Sequence, residues 1–360
     1  MSLLFDVIDN KTEMLAEKIF ERQFEYDKNL DNEYGDYRKT KMYRDIKHNL
    51  KSLEVAVQYD ANKIFEDYAL WLVKLLSTRM EDLPKERIKE QMISHYRIIG
   101  EVLEEAQVKR DYQQKAQLHL ENAIKVTEEA DLEKETVKKD SRLESGEKIL
   151  ESLRIRFLNS LLRTDREGAQ KVIDEALEND ISLENIYLEI FQKTMIKVGE
   201  LWHSGTIKVD EEHYITSMIQ NIMMQLWPKI FAKEKIDRTI LVCTVGNELH
   251  EMGARILCDL MAIRGWDSIY LGAAIPVDNI ITAVKKHDPD LVGLSVTMPF
   301  YLEQCERAVK KIKTNDSTKD VKIAVGGRAF SLAPHLPAEW GADVTATNGI
   351  ELAEWAEKNI

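Results

Sequence analysis

The chain has 360 residues, 44% of them hydrophobic, and a formal net charge of −13. This length allows sizeable buried cores and predicts two or three domains. The excess of acidic residues opposes a general affinity for phosphate backbones, and no block of lysine and arginine indicates a nucleic-acid surface.

Targeting and redox features predict a cytoplasmic protein. No run of eighteen apolar residues occurs, so no membrane span is expected. The amino terminus lacks the basic region and the long apolar stretch of a secretory signal. The cysteines, Cys243, Cys258 and Cys305, lie in apolar surroundings without CxxC spacing, which is typical of a reduced compartment.

Residues 1–140 have few glycines and prolines and show helical periodicity nearly throughout, which predicts a bundle of four or five helices. From Glu104 to Asp140 the charges alternate in sign, which predicts a linker helix or a helix that pairs with itself. His48, His95 and His119 lack metal-ligand spacing and are interpreted as surface or core histidines. We interpret this part as a helical sensor, scaffold or output module.

Residues 141–235 predict a second helical domain. Thr164 and Glu167 have the spacing of a capping box that opens one helix. A last helix starts near Asp210 and is predicted to end at Trp227-Pro228. Four helices joined by short loops are expected to pack as an antiparallel bundle.

Residues 236–360 alternate strands with helices, which predicts a doubly wound, Rossmann-like parallel sheet with helices on both faces. The predicted strands are 239–245, 268–271, 291–296, 322–325 and 343–346. The predicted helices are 252–264, 277–287, 301–313 and the carboxyl terminus. The expected fold class is therefore a multidomain α plus α/β protein.

The stretch 247–253 is predicted to be a turn from the first strand into the first helix, where open parallel sheets bind their ligands. His250 follows Glu248 by two residues, which suits a metal ligand because a carboxylate can hold the second imidazole nitrogen. Gly253 removes a side chain where a bulky ligand needs room. Taken alone, this pattern is a weak signal, because a lone loop histidine is usually a solvated side chain.

Small residues follow the other predicted strands at Ser295, Thr297 and Gly326-Gly327. The carboxyl ends of parallel strands meet at one edge, so these residues predict a groove with little side-chain bulk beside His250. The glycine pair by itself is also compatible with an ordinary turn.

Residues 236–360 resemble a cobalamin-binding domain of the kind that holds its cofactor with the benzimidazole tail displaced and a protein histidine on cobalt. The family pattern Asp-x-His-x-x-Gly, Ser-x-Leu/Thr, Gly-Gly is matched by Glu248-x-His250-x-x-Gly253, by Ser295-x-Thr297 and by Gly326-Gly327. Glutamate replaces the commoner aspartate. This variant is usual in light-responsive, adenosylcobalamin-dependent regulators.

The helical domain before it resembles the cap of those photoreceptors. Trp202 and the pair Glu212-His213 reproduce the signature Trp-x9-Glu-His, and His203 follows Trp202 directly. The usual amino-terminal winged-helix DNA-binding domain has no counterpart, so direct DNA binding is not expected.

The resemblance implies a role for each matched residue. His250 is expected to be the lower axial ligand of cobalt, with Glu248 as its hydrogen-bond partner, and Trp202, Glu212 and His213 are expected to contact the upper adenosyl group. His203 is expected to bind cobalt from above after light has broken the cobalt–carbon bond. Gly253 is expected to leave room for the bulky cofactor. The residues at the strand ends that are expected to line the channel for its nucleotide tail are Ser295, Thr297, Gly326 and Gly327.

The function implied is a light sensor without a catalytic domain, which binds adenosylcobalamin and signals from a homo-oligomer through an unidentified protein partner. One alternative is a corrinoid shuttle of a methyltransferase system, which carries methylcobalamin. A third possibility is a scaffold that reports cofactor abundance without light.

Overall fold

The computed structural model describes residues 5–132, 145–232 and 234–360, which belong to two compact units. Each unit is described by itself. The first unit is helical. Its helices are α1 (Phe5–Tyr26), α2 (Leu30–Glu33), α3 (Asp36–Gln58), α4 (Asn62–Arg79), α5 (Lys85–Glu105) and α6 (Arg110–Glu129).

Helix α6 includes much of the charged segment that was predicted to be a linker. It buries His119, Leu120 and Ala123 and packs on helices α3, α4 and α5. This part of the segment is therefore a member of the bundle, because a minority of apolar positions at helical spacing is enough to form one buried face. The remainder of the predicted linker, residues 133–140, lies outside the described residues.

Two of the three histidines in this unit lie in its core. His95 and His119 are buried, and burial lowers the pKa of His95 to about 4. Both are therefore held neutral near pH 7. Across the described ranges 5–132, 145–232 and 234–360, no three His, Cys, Asp or Glu side chains form a group that could hold a metal ion.

The second unit begins with another set of helices. They are α7 (Ser145–Leu162), α8 (Arg166–Glu178), the short α9 (Leu183–Asn185), a π-helical segment (Ile186–Gln192), α10 (Lys193–His203) and α11 (Val209–Phe231). We call residues 145–231 the cap. The π-helical segment interrupts what the sequence predicted as one regular helix, and such segments are frequent near functional sites.

Two predicted helix boundaries in the cap are wrong. Asp165 is the N-cap residue of α8 and accepts a hydrogen bond from the backbone of Gly168, while Thr164 has a positive φ of 57° and lies one residue before that N-cap. Helix α11 continues through Pro228 to Phe231. A proline near the last turn removes only one backbone hydrogen bond, which the packing of Leu226 and Ile230 in the core offsets.

The remainder of the unit is an α/β domain. Its strands are β1 (Thr239–Val245), β2 (Asp267–Ile275), β3 (Leu291–Ser295), β4 (Lys322–Gly326) and β5 (Val344–Ala346). The helices between and after them are α12 (Met252–Ile263), α13 (Val277–His287), α14 (Leu302–Thr314), α15 (Arg328–Leu332), α16 (Leu336–Trp340) and α17 (Gly349–Asn359). A 3-10 turn, Pro299–Tyr301, precedes α14.

All five strands are parallel and lie in the order β2-β1-β3-β4-β5. The chain reverses direction across the sheet next to β1, so the carboxyl end of β1 is the position where such folds bind ligands. Helices α12 and α17 pack together, as do α13 and α14. The prediction of a Rossmann-like parallel sheet is confirmed.

The core of the cap extends into the α/β domain. Met252, Ile256 and Leu260, on one face of α12, belong to the same apolar cluster as the buried residues of the cap helices. The opposite face of α12 packs on the sheet through residues such as Ala254 and Cys258. Helix α12 is therefore buried on two sides, which fixes the loop that enters it.

No helix in the part of the chain that the structure describes is both long enough and apolar enough to span a membrane.

Candidate functional site

The loop between β1 and α12 is organised by Glu248. Its side chain is only 1% exposed, and one carboxylate oxygen accepts hydrogen bonds from the backbone N–H groups of Thr297 (3.0 Å) and Met298 (2.8 Å). The other oxygen lies 2.5 Å from Nδ1 of His250 and accepts from the His250 backbone at 3.1 Å. The carboxylate thus joins the end of β3 to the histidine.

The backbone of Glu248 is tied to β2 as well. Its carbonyl oxygen accepts from the hydroxyl of Thr244 at 2.9 Å and from the backbone N–H of Ala274 at 3.1 Å. Ala274 has a positive φ of 56°, which is unfavourable for a residue with a side chain. This irregular end of β2 lies beyond the predicted strand 268–271 and supports the loop.

The charges of Glu248 and His250 reinforce each other. Burial opposes ionisation of Glu248, but hydrogen bonds from the His250 ring and from the backbones of Met298 and His250 lower its pKa overall. The hydrogen bond to Glu248 raises the pKa of His250 against the effect of burial. A carboxylate that accepts from Nδ1 leaves Nε2 as the nitrogen with a lone pair, and the His250 side chain is 60% exposed.

A second carboxylate follows directly. Glu251 accepts a hydrogen bond from the side-chain amide of Gln220 on α11 at 2.8 Å, and another from the hydroxyl of Tyr270 on β2 at 2.8 Å. Glu251 therefore bridges the cap and the sheet one residue beyond His250.

Gln220 belongs to a polar stripe on α11 with helical spacing: Glu212, Thr216 and Gln220. The hydroxyl of Thr216 donates to Glu212 at 2.7 Å. The negative charge of Glu212 also raises the pKa of His250, after the larger effect of Glu248. The stripe therefore places Glu212 near His250 and Gln220 on Glu251.

The other cap residues singled out by the sequence are placed differently. Trp202 is partly buried and packs against the apolar core of the cap. His203 is the last residue of α10 and is half-buried. The ring of His213 lies 2.6 Å from the carboxylate of Glu212, and its side chain is 74% exposed. Among the cap residues, Glu212 is close enough to His250 for its charge to raise the pKa of that histidine.

The strand-end residues converge as predicted. Ser295 ends β3 and is paired with Gly326 of β4 and with Thr244 of β1, while the backbone of Thr297 binds Glu248. A Cβ on Gly327 would lie 2.3 Å from the carbonyl oxygen of Val296, and the φ of Gly327 is +99°. Close backbone packing therefore explains this glycine without any ligand.

Gly253 has a different environment. A Cβ built at this position in the first turn of α12 meets no atom within 4 Å. Gly253 is exposed, so close packing does not explain this glycine, and its role beside a ligand stays a prediction.

Four residues of the site were missed at the level of sequence. Gln220 could have been found, since it continues the stripe of Glu212 at helical spacing. Glu251 and Tyr270 carried no signal of their own. Met298 contributes a backbone N–H, which no side-chain motif can indicate.

Comparisons with known proteins agree with this geometry. Residues 238–353 match a family model described as B12 binding domain, and residues 153–226 match a second model with the same description. The trimethylamine corrinoid protein 1 of Methanosarcina acetivorans is 22% identical over 166 residues, covering 45% of this chain and 77% of the relative. Dimethylamine corrinoid protein 3 of Methanosarcina mazei is 28% identical over 138 residues, covering 38% and 81%.

A solved structure has a similar fold. The monomethylamine corrinoid protein of Methanosarcina barkeri superposes with a TM-score of 0.52 at 19% identity, covering 58% of this chain and 99% of that one. At this identity the likeness concerns the fold alone.

The prediction of a light sensor is wrong. The relatives that match are corrinoid proteins named for trimethylamine and dimethylamine, and they favour the alternative prediction of a corrinoid shuttle. The light-sensor hypothesis depended on the pairs Trp202-His203 and Glu212-His213. Trp202 is partly buried and packs against the cap core, and His213 is 74% exposed and lies beside Glu212, so neither position by itself requires photochemistry.

Proposed function

We propose that this chain, which carries the two B12-binding domains of a cobalamin-binding family, is a corrinoid carrier protein that serves partner methyltransferases. In this proposal the chain has no catalytic domain of its own, and the partners supply the substrate sites. Bound cobalamin would supply a cobalt ion that accepts and releases a methyl group.

The observation that carries the proposal is the His250–Glu248 pair at the carboxyl end of β1. Glu248 holds Nδ1 of His250, so the imidazole is oriented and its Nε2 is the basic nitrogen. This single oriented imidazole is the side chain that would hold the cobalt of a bound cobalamin. Gly253, three residues further along the chain, carries no side chain that would obstruct a bulky group next to that imidazole.

Other residues complete the proposed site. Ser295, Thr297 and Gly326 line the strand ends next to the Glu248 loop and would flank the nucleotide tail. On the cap side, Glu212 lies near His250, and Trp202 is the apolar residue that would cover the upper face. His213 is left out because its ring is paired with Glu212 and largely exposed.

The helical unit of residues 5–132 lies outside both matched regions. We propose that it is a separate module that contacts a protein partner. Its buried histidines are core residues in this proposal, because burial keeps His95 neutral.

The first test is cofactor loading. Purified protein is mixed with hydroxocobalamin and with methylcobalamin, freed from unbound cofactor, and its absorption spectrum is recorded. Loading near one cobalamin per chain is expected. His250→Ala should lose the spectral signature of imidazole on cobalt, whereas the control His287→Ala, at the end of α13, should keep it. Equal spectra for both variants would rule out His250 as the ligand.

The second test is methyl transfer. Methylcobalamin-loaded protein is mixed with a methylamine-type methyltransferase and with a thiol-accepting methyltransferase, and loss of the methylcobalamin absorption is followed. Transfer faster than from free methylcobalamin is expected. Loading without any acceleration by either class of partner would contradict a carrier role while leaving cobalamin binding intact.

A further inference from the structure

The loop that carries His250 is held from two sides by two different carboxylates. Glu248 anchors its first half to the ends of β2 and β3, as described above. Glu251 anchors its second half through Gln220 of the cap and Tyr270 of the sheet, each at 2.8 Å. Only Leu249 and His250 lie between the two anchors, and the turn is closed by a hydrogen bond from the Glu251 backbone to the Leu249 carbonyl at 2.8 Å.

We propose that Glu251 is a positioning residue through which cap helix α11 controls the orientation of the His250 imidazole. Helix α11 cannot move away from the α/β domain without breaking the Gln220–Glu251 hydrogen bond or pulling on the loop. The coupling is reciprocal, so a change at His250 also changes the free energy of cap displacement. The inference rests on the proposed function only for the identity of His250 as the cobalt ligand.

We call the two hydrogen bonds that Glu251 accepts from Gln220 and Tyr270 the bridge. The strength of these bonds follows from their surroundings. Glu251, Gln220 and Tyr270 are each half-buried, so water competes less for these hydrogen bonds than at a free surface. Both bonds end on a carboxylate, and bonds to charged groups are stronger than neutral ones. The guanidinium of Arg255, one turn after Glu251, lies over the Tyr270 ring at 6.0 Å from its centroid. Arg255 therefore packs against the tyrosine that donates to Glu251.

The cap contains a second connection that serves as a matched control. The hydroxyl of Tyr187, in the π-helical segment, donates to Asp259 on α12 at 2.8 Å. This bond also joins the cap to α12 through a carboxylate, but Asp259 lies two turns beyond Glu251, and its side-chain hydrogen bonds are with Tyr187 and Trp227 of the cap. Tyr187→Phe therefore weakens the cap contact without disturbing the proposed bridge.

The first experiment measures amide hydrogen exchange in the full chain without cobalamin. Gln220→Ala keeps a good helix former in α11 and removes only the cap side of the bridge. The exchange rate in peptides that cover residues 247–253 is expected to rise about tenfold, because the loss of one hydrogen bond to a charged group lowers the free energy of local opening by a corresponding amount. Tyr187→Phe should leave these peptides unchanged. Equal acceleration in both variants, or none in Gln220→Ala, would overturn the proposal.

The second experiment measures how well the imidazole is positioned. Protein loaded with cob(II)alamin is examined by electron paramagnetic resonance for nitrogen coupling from His250 over a range of pH. Glu251→Ala should lower the histidine-bound fraction and shift its pH profile, whereas Glu251→Gln, which can still accept from Gln220 and donate to Tyr270, should restore both. A normal profile in Glu251→Ala would contradict the positioning role.

The two proposals can fail separately. If the wild-type chain takes up no cobalamin, the carrier function is wrong, yet the exchange experiment still decides whether Gln220 and Glu251 hold the loop. If cobalamin binds normally and the exchange rates do not respond to Gln220→Ala, the carrier function stands and the bridge is wrong.

Discussion

The α/β domain and the cap contribute to the site in different ways. On the sheet side, Glu248 is held by backbone N–H groups of Thr297 and Met298. These residues directly follow Val296, whose backbone is hydrogen-bonded to Gly326 and Ala329. On the cap side, contact with the loop depends on the side chain of Gln220. A support made of backbone groups resists displacement, whereas one made of a few side chains can be broken and remade. The site is therefore expected to be rigid on the side of the sheet and adjustable on the side of the cap.

Replacement of His250 is expected to have the largest effect on function. His250→Ala should abolish imidazole coordination of bound cobalamin, because no other histidine occupies the loop. Its effect on the unfolding free energy should be small, since the side chain is 60% exposed. Absorption spectra of the loaded protein and urea unfolding of the free protein measure the two quantities. A large loss of stability would mean that the histidine has a mainly structural role.

Replacement of Glu248 tests the rigidity of the sheet side. Glu248→Ala removes a buried carboxylate and leaves the half-buried N–H groups of Thr297 and Met298 without this acceptor, at a cost of roughly 2–4 kcal/mol in unfolding free energy. Glu251→Ala, at a half-buried position with two side-chain donors, should cost less. Urea unfolding of both variants without cobalamin decides the point. Equal losses would remove the distinction between the two sides of the site.

Substitution of Gly327 tests whether close backbone packing determines the structure at the ends of β3 and β4. Gly327→Ala brings a Cβ to 2.3 Å from the Val296 carbonyl oxygen at a φ of +99°, so a loss of about 1–3 kcal/mol is expected. Gly253→Ala is the control, because its Cβ meets no atom within 4 Å and alanine favours the helix. Thermal unfolding should show a lower Tm for the first variant alone.

Removal of the hydrogen bond between Tyr187 and Asp259 tests how firmly the cap is held on α12. Tyr187→Phe removes one hydrogen bond to a half-buried carboxylate, whose pKa is raised by burial. The expected loss of unfolding free energy is about 1 kcal/mol. Urea unfolding measures this loss, and limited proteolysis of the cap should become faster. Unchanged proteolysis would indicate that this bond does not hold the cap.

The smallest expected effect is the pH dependence of the His250–Glu248 pair. Glu248 has a pKa below its ordinary 4.5 and stabilises the fold above that pH, and His250 has a pKa above its ordinary 6.5 and stabilises it below that pH. The stability difference between the wild type and Glu248→Gln should therefore be greatest between about pH 4.5 and 6.5. A difference that keeps rising above pH 8 would contradict this assignment.

Much of the α/β domain was predictable because each strand is a short apolar run between turn residues. All five predicted strands are found, and β1 has the predicted bounds. Strand β2 is longer than predicted. Gly272 and Ala274 near its end have positive φ, and this end is part of the strand because it pairs with β1. Local pattern cannot reveal such pairing.

The error about light sensing has a physical cause. The pairs Trp202-His203 and Glu212-His213 are short patterns at helix positions, and a helix position defines a face only when the packing is known. The structure leaves the His213 side chain 74% exposed beside Glu212, and the relatives are trimethylamine and dimethylamine corrinoid proteins, so a matching pattern did not imply a matching function.

The sequence by itself determined the loop chemistry, since Glu248 and His250 are close in the chain and their pairing follows from their spacing. Only the tertiary structure decided what surrounds that pair. The bridge from Gln220 through Glu251 to Tyr270 joins residues 31 and 19 positions apart in the chain. Such contacts depend on how α11, α12 and β2 pack together, and packing is set by the combined burial of many apolar residues rather than by any local motif.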